Sequence, residues 1–188
     1  MARWQPDSAL RLTEAALALF GERGFDDVTV AEIAERAGVT ERTFFRHFAD
    51  KREVLFAGGA MLQEVMVGAA ASTPAGAGPL ETVAAALDAM AGVLEQRRDF
   101  AHARHAVVSA SPELRERELI KLASLGDALA EALRRRGVAE PAASLTAQAG
   151  IAVFHVAFGR WASERSDGLA RLIEESLAEL RALTAEAS

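Results

Sequence analysis

The chain has neither cysteine nor tyrosine among its 188 residues. Without thiols it can form no disulfide and no thiolate-held metal site, a composition that suits a reducing cytoplasm. Four histidines are too few to make a zinc centre an attractive reading. Asp99-Phe-Ala-His102 is the single acidic-x-x-His match, whereas a di-iron helical bundle needs two such pairs and further carboxylates. Gly-x-Ser-x-Gly and Gly-x-x-x-x-Gly-Lys-Ser/Thr signatures are both missing. The expectation is therefore a protein without catalytic residues, cofactor or resident metal, and not an enzyme. No segment alternates apolar and polar residues with a period of two. Alanine and leucine dominate instead, which predicts an all-α fold. The opening Met1-Ala2-Arg3-Trp4-Gln5-Pro6 lacks the apolar core of a signal peptide. No uninterrupted apolar run approaches the roughly 20 residues of a membrane span. A cytoplasmic location is expected. No internal repeat is visible.

What is present is concentrated between residues 25 and 56. Leu10 to Phe20 is apolar at helical spacing, and Gly24 stands where a helix would end in a left-handed residue. Thr29 and Glu32 then form a capping box, flanked by Val28 and Ile33 as a hydrophobic staple. Gly38 ends that short helix, and Thr40 caps the next one two residues later, with Val39 and Phe44 as a second staple. Asp50 and Glu53 repeat the capping box at the start of a fourth helix. Four local devices that agree are evidence of a specified structure.

The pattern is two short helices joined by a glycine turn, the form of a helix-turn-helix, whose second helix enters the major groove. That helix is expected over Glu41–Phe48, within a motif at about 29–48. Phe44 and Phe48 are four apart and share a buried face. Arg42 and Arg46 share another face, as do Thr43 and His47. These are side chains that bond phosphates and base edges. A surface of solvated arginines is the plainer alternative.

The stretch from about 9 to 56 resembles the tetracycline-repressor (TetR) family of bacterial transcription regulators. The residues that carry the likeness are Thr29, Ile33-Ala34, Ala37-Gly38-Val39-Thr40, Thr43-Phe44, Arg46-His47-Phe48, Lys51 and Leu55, with Ala15 to Phe25 upstream. The family usually has tyrosine where this chain has Phe45, so a phosphate-bonding hydroxyl is missing there. The resemblance implies an N-terminal helix-turn-helix domain (6–66, with helix 4 bridging) and a C-terminal ligand-binding and dimerisation bundle (67–188), about nine helices in all. It implies a dimer on a near-palindromic double-stranded DNA operator, released by a small molecule, with repression as the usual habit. The expected DNA contacts are Thr29, Thr40, Arg42, Thr43, Phe45, Arg46, His47 and Lys51. Lys51 is placed at the start of helix 4, where free amides favour a phosphate. A helical protein-interaction module without a DNA role is the alternative.

A net charge of −6 opposes DNA binding only if taken as a whole. Residues 1–52 hold eight Lys or Arg against nine Asp or Glu, and residues 53–188 hold thirteen against eighteen. Binding depends on the local face. The cations Arg42, Arg46, Lys51 and Arg52 lie close together in the chain.

Beyond Lys51 a helix is expected to about Ala71, with Gly58-Gly59 inside it as a hinge or as a close-packing site. Ser72 to Pro79 reads as a loop. Helices are expected near 80–97, 99–109, 112–136, 141–165 and 167–186, with Pro112 and Pro141 in first turns. Arg134-Arg135-Arg136 reads as cations at a helix C-terminus. A pocket between bundle helices is a common ligand site. Its candidate lining is Met61, Met90, Phe100, Phe154 and Phe158, with His102, Arg104 or His105 as polar groups. The same methionines and phenylalanines also suit an ordinary core. The late helices are apolar on most sides, and Ala149, Gly150, Ala152, Ala157 and Gly159 permit close approach. They are expected to form a four-helix dimer interface through Ile151, His155, Phe158, Leu172, Ile173, Leu177 and Leu180. Burial within one subunit is the alternative.

Overall fold

A computed structural model describes residues 8–163 and 168–185, and these are helices and their connections. They run α1 (Ser8–Arg23), α2 (Val30–Arg36), α3 (Glu41–His47), a 3-10 turn (Glu53–Phe56), α4 (Gly59–Ser72), α5 (Pro79–Glu95), α6 (Arg98–Ala110), α7 (Pro112–Arg135), α8 (Ala142–Ser163) and α9 (Leu169–Ala185). The all-α expectation and the helix bounds downstream of residue 79 hold to within a few residues.

Helix 4 departs from expectation. It does not run unbroken from Lys51. The chain makes a 3-10 turn over Glu53–Phe56, and the α-helix begins only at Gly59. Val54, Leu55 and Phe56 all bury themselves in that turn. Gly58-Gly59 thus sits at a joint, not inside a helix. A Cβ added to either glycine meets nothing within 4 Å, so close packing does not explain them.

The chain divides into two compact units, and the division differs from the expected boundary at 66. The first comprises residues 1–59 and 102–118; the second comprises 60–101 and 119–188. In the first unit, Leu12, Ala16, Phe20, Val28, Ile33 and Phe44 form the centre of the core. Val107, Val108 and Leu114 close it from the end of α6 and the start of α7. Polar ties follow the same route. Arg104 donates from Nε to the Leu55 carbonyl (2.8 Å) and pairs with Glu118 (2.9 Å). Arg117 pairs with Glu53. Sequence reading missed this return of the chain, because nothing local in 102–118 marks it.

In the second unit α5, α8 and α9 pack around Leu87, Met90, Leu129, Leu133, Trp161, Leu169 and Leu172, all fully buried. Gly150 of α8 lies so close to α5 that a Cβ there would stand 2.4 Å from Val83 Cγ1. The start of α9 is capped from α5, because Glu95 Oε1 accepts from the Leu169 amide at 2.5 Å. Arg136 donates to the Thr73 and Pro74 carbonyls (2.9 and 2.6 Å) and holds the 73–78 loop. Arg134 pairs with Glu131 and Glu140, and Arg135 with Glu131, so two arginines of the run serve their own helix end, as expected, while Arg136 departs from that expectation.

Neither of the two most apolar helical stretches is an uninterrupted apolar run. By length and composition Glu53–Ser72 and Ala142–Ser163 would suffice to cross a membrane. The first is interrupted by the joint at 57–58. The second places Phe154, Ala157, Phe158 and Trp161 in the protein core, which is where its apolar side is used.

Candidate nucleic-acid interface

Local rules position the helix-turn-helix. Thr29 caps α2: its Oγ accepts from the Glu32 amide (3.3 Å), and the Glu32 carboxylate accepts from the Thr29 amide (2.8 Å). Gly38 adopts φ +66, a conformation in which a side chain would be strained. Arg11 of α1 donates to the Ala37 carbonyl at 2.9 Å and fixes the turn from outside. Thr40 then caps α3, accepting from the Thr43 amide at 3.3 Å. Phe44 is fully buried. It lies against Phe48 with ring centroids 5.3 Å apart, so the inner face of α3 is anchored.

The outer face differs from the cations on α1, on α2 and in the segment that follows α3. Arg23 pairs with Glu32, Arg36 with Glu22, and Arg52 with Asp50 and Glu113. Arg11 is on the Ala37 carbonyl. Arg42 and Arg46 are exposed and have no hydrogen-bond or ion-pair partner among the described residues. They are four apart on α3, with the exposed Phe45 ring beside them at the third position from Arg42. Thr43 is half-buried, and its hydroxyl lies 3.1 Å from that of Thr40.

The pairing arginines also set the local acids. Hydrogen bonds from Arg23, then from the Thr29 amide and hydroxyl, hold the Glu32 carboxyl down at about 2. Arg52 likewise lowers Asp50, with help from the Glu53 and Arg52 amides. Both acids remain charged at neutral pH, so their arginines stay engaged.

Two expected contacts change role. Lys51 does not extend towards solvent. Its Nζ donates to the Phe25 carbonyl (2.7 Å) and the Val28 carbonyl (2.9 Å), and it sits 4.1 Å over the Phe25 ring. It ties the end of the α1–α2 connection to the segment after α3, and it is not free to reach a phosphate. His47 is exposed, but its Nε2 shares a 2.8 Å hydrogen bond with Ser8 Oγ at the start of α1. Asp50 accepts from the Glu53 amide (3.1 Å) as expected, yet the Glu53 carboxylate faces Arg117.

The other candidate sites scatter. Met61, Met90, Phe100, Phe154 and Phe158 belong to the second unit, while His102, Arg104 and His105 belong to the first. Met61 is exposed and Met90 fully buried. Phe154 stacks on Phe158 at 5.7 Å, and Arg97 lies over Phe100. Arg104 is committed to Leu55 and Glu118, and His105 lies beside Ser109. Met90, Phe154 and Phe158 belong to the core of the second unit, and Arg104 ties Leu55 to Glu118 within the first. Of the expected interface residues, Ile151, Phe158, Leu172, Ile173 and Leu177 are buried within one subunit. His155 is exposed and Leu180 half-buried. The apolar side of α8 that does face outward is Leu145, Ala149, Ala152 and Val156, with Leu183 exposed on α9. Its signal was present in the sequence as a second stripe at i, i+4, i+7 and i+11, masked because α8 is apolar all round.

Residues 12–57 match the model of bacterial regulatory proteins of the tetR family, and residues 77–185 match the MftR C-terminal domain of the same group. The chain belongs to the TetR family. Within the family, it is 40% identical over 82 residues to the transcriptional regulator TcmR of Streptomyces glaucescens, a stretch that covers 44% of this chain and 36% of that one. The chain thus spans about a third of the length of that curated relative. Thermus thermophilus FadR, a repressor solved with lauroyl-CoA, shares 27% identity over 90% of this chain and 91% of its own, with a TM-score of 0.56. A regulator structure from Pseudomonas aeruginosa shares the fold with a TM-score of 0.67 at 21% identity, covering 99% of this chain and 95% of that chain.

Proposed function

We propose that this protein is a non-enzymatic transcriptional regulator of the bacterial cytoplasm. It binds an operator in double-stranded DNA through α3 and releases it when a small molecule binds the second unit. The observation that carries the reading is the pair Arg42 and Arg46. They are exposed and without partners among the described residues on a helix whose neighbouring cations are all engaged. A solvated surface would not need five cations engaged, three by carboxylates and two by backbone carbonyls, and two left bare on one face. Around that pair, Thr29, Thr40, Thr43, Phe45 and His47 remain candidate contacts; Lys51 is withdrawn because of its two carbonyls.

Two copies are expected to read a near-palindrome, because half-sites one helical turn apart suit paired recognition helices. The second copy would sit on the outward stripe Leu145, Ala149, Ala152 and Val156, with His155, Leu180 and Leu183 at its edges. Repression is the mode favoured by kinship with a repressor such as T. thermophilus FadR, crystallised with lauroyl-CoA. An acyl-CoA is accordingly the first effector to try. Such an effector acts by binding better to the form that fits the operator worse.

The test is affinity for duplexes selected from a random pool, measured at several salt concentrations. Each phosphate neutralised contributes about 0.9 to the slope of log affinity against log salt. Arg42→Ala and Arg46→Ala should each weaken binding, and a phosphate-contacting arginine should lower that slope by about one. A protein that enriches no duplex over the starting pool is a protein-interaction module instead.

A further inference from the structure

The outer face of α3 carries one large apolar group, and it is placed among the groups argued to meet DNA. Phe45 is 55% exposed. It is three residues from Arg42 and adjacent to Arg46, so the ring shares the side of the helix that presents both guanidinium groups. The ring meets the fully buried Phe44 edge-on, with centroids 5.4 Å apart and planes at 79°, a favoured aromatic geometry. A single exposed phenylalanine on a surface needs no explanation. One held on a buried partner beside two unpaired cations does, because a duplex that engages those cations is brought next to the ring.

The ring has no donor and no acceptor, so it cannot bond a phosphate or a base edge. In the major groove the apolar feature of a base pair is the thymine 5-methyl group. From this we infer that Phe45 reads thymine: its ring packs on a thymine 5-methyl and so sets base preference at that position of the operator. The inference rests on the DNA-binding role of α3 proposed above. Contact with deoxyribose is the competing fate of the ring, and it would bring no base preference.

The experiment uses the full chain and duplexes selected from a random pool. Each thymine of a selected duplex is replaced in turn by deoxyuridine, which removes the methyl and keeps the pairing. For the native chain, one or two positions should lose affinity about fourfold, the equivalent of about 0.8 kcal/mol for one buried carbon. Phe45→Ala should bind the original duplex more weakly and be indifferent to deoxyuridine at those positions. Phe45→Tyr, which keeps the ring, should retain the sensitivity. Helix content and melting temperature of each variant are measured alongside; Phe45→Leu replaces the alanine variant if that one melts early. If no thymine methyl matters to the native chain, or if the sensitive thymine stays sensitive without the ring, the inference is overturned while DNA binding stands. If no duplex is enriched at all, the reading of α3 itself is lost and the inference with it.

Discussion

Lys51 gives the sharpest separation between a structural tie and a DNA contact. Replacing it with methionine keeps the stem and removes the ammonium. Two hydrogen bonds to carbonyl groups disappear, at 2.7 and 2.9 Å, together with the contact 4.1 Å above the Phe25 ring. A hydrogen bond from a charged donor contributes about 1.5–3 kcal/mol, and a cation over an aromatic ring about 0.5–2 kcal/mol. The ammonium is only half-buried, so part of each value is recovered by solvating the freed carbonyls. A net loss of about 2–4 kcal/mol follows, or a melting temperature lower by roughly 5–15 °C for a chain of this size. The assays are thermal unfolding by circular dichroism and DNA affinity at low temperature across a range of salt. The expected result is a clear loss of stability with the salt slope unchanged. A slope lower by about one, with stability intact, would mean that Lys51 reaches a phosphate after all, and the role drawn from its two carbonyls would be wrong.

Other expectations are more local. Gly150→Ala places a Cβ 2.4 Å from Val83 Cγ1, and overpacking of this kind costs about 1–3 kcal/mol; a lower urea midpoint with an unchanged m-value checks it. Glu32→Gln tests the cap of α2. The folded carboxyl is held at about 2 against an ordinary 4.5, so its contribution is complete above pH 4.5 and is lost as the pH falls towards 2. The acid unfolding curve of the glutamine variant should lack that component, and identical curves would discount the Arg23 and Thr29 bonds. Gly58→Ala with Gly59→Ala meets no steric obstacle and should raise stability by about 0.5–1 kcal/mol through the unfolded chain. If the joint transmits the effector signal, the same variant should bind DNA and release it less readily when an effective ligand is added. Unchanged affinity and unchanged release would end the hinge hypothesis.

The helix-turn-helix was legible because each of its features is written in adjacent residues. A cap hydroxyl, a box partner three residues on and a glycine with positive φ are short-range physics, and Thr29, Glu32, Gly38 and Thr40 did what their types require. The departures have long-range causes. Lys51 found its carbonyls at Phe25 and Val28, far back along the chain, and no spacing rule announces such a bond. Helix 4 starts late, after a turn whose Val54, Leu55 and Phe56 all go into the core, and no local signal in the sequence separates that turn from the helix. On α8 the sequence offered apolar residues on every side. It could not say which stripe faces α5 and α9 and which faces outward, and Ile151 and Phe158 lie on the buried one.

The return of residues 102–118 to the first unit has a practical side. The unit proposed to read DNA is discontinuous in the gene. A fragment that stops at residue 66 would keep both short helices and the glycine turn, yet it would leave Phe20, Phe25 and Leu55 without the cover of Val107, Val108 and Leu114. It would also free the Leu55 carbonyl and the Glu53 carboxylate from their arginines. Anyone wishing to graft this specificity onto another protein would have to carry the α6–α7 corner along, or supply a substitute lid of comparable shape.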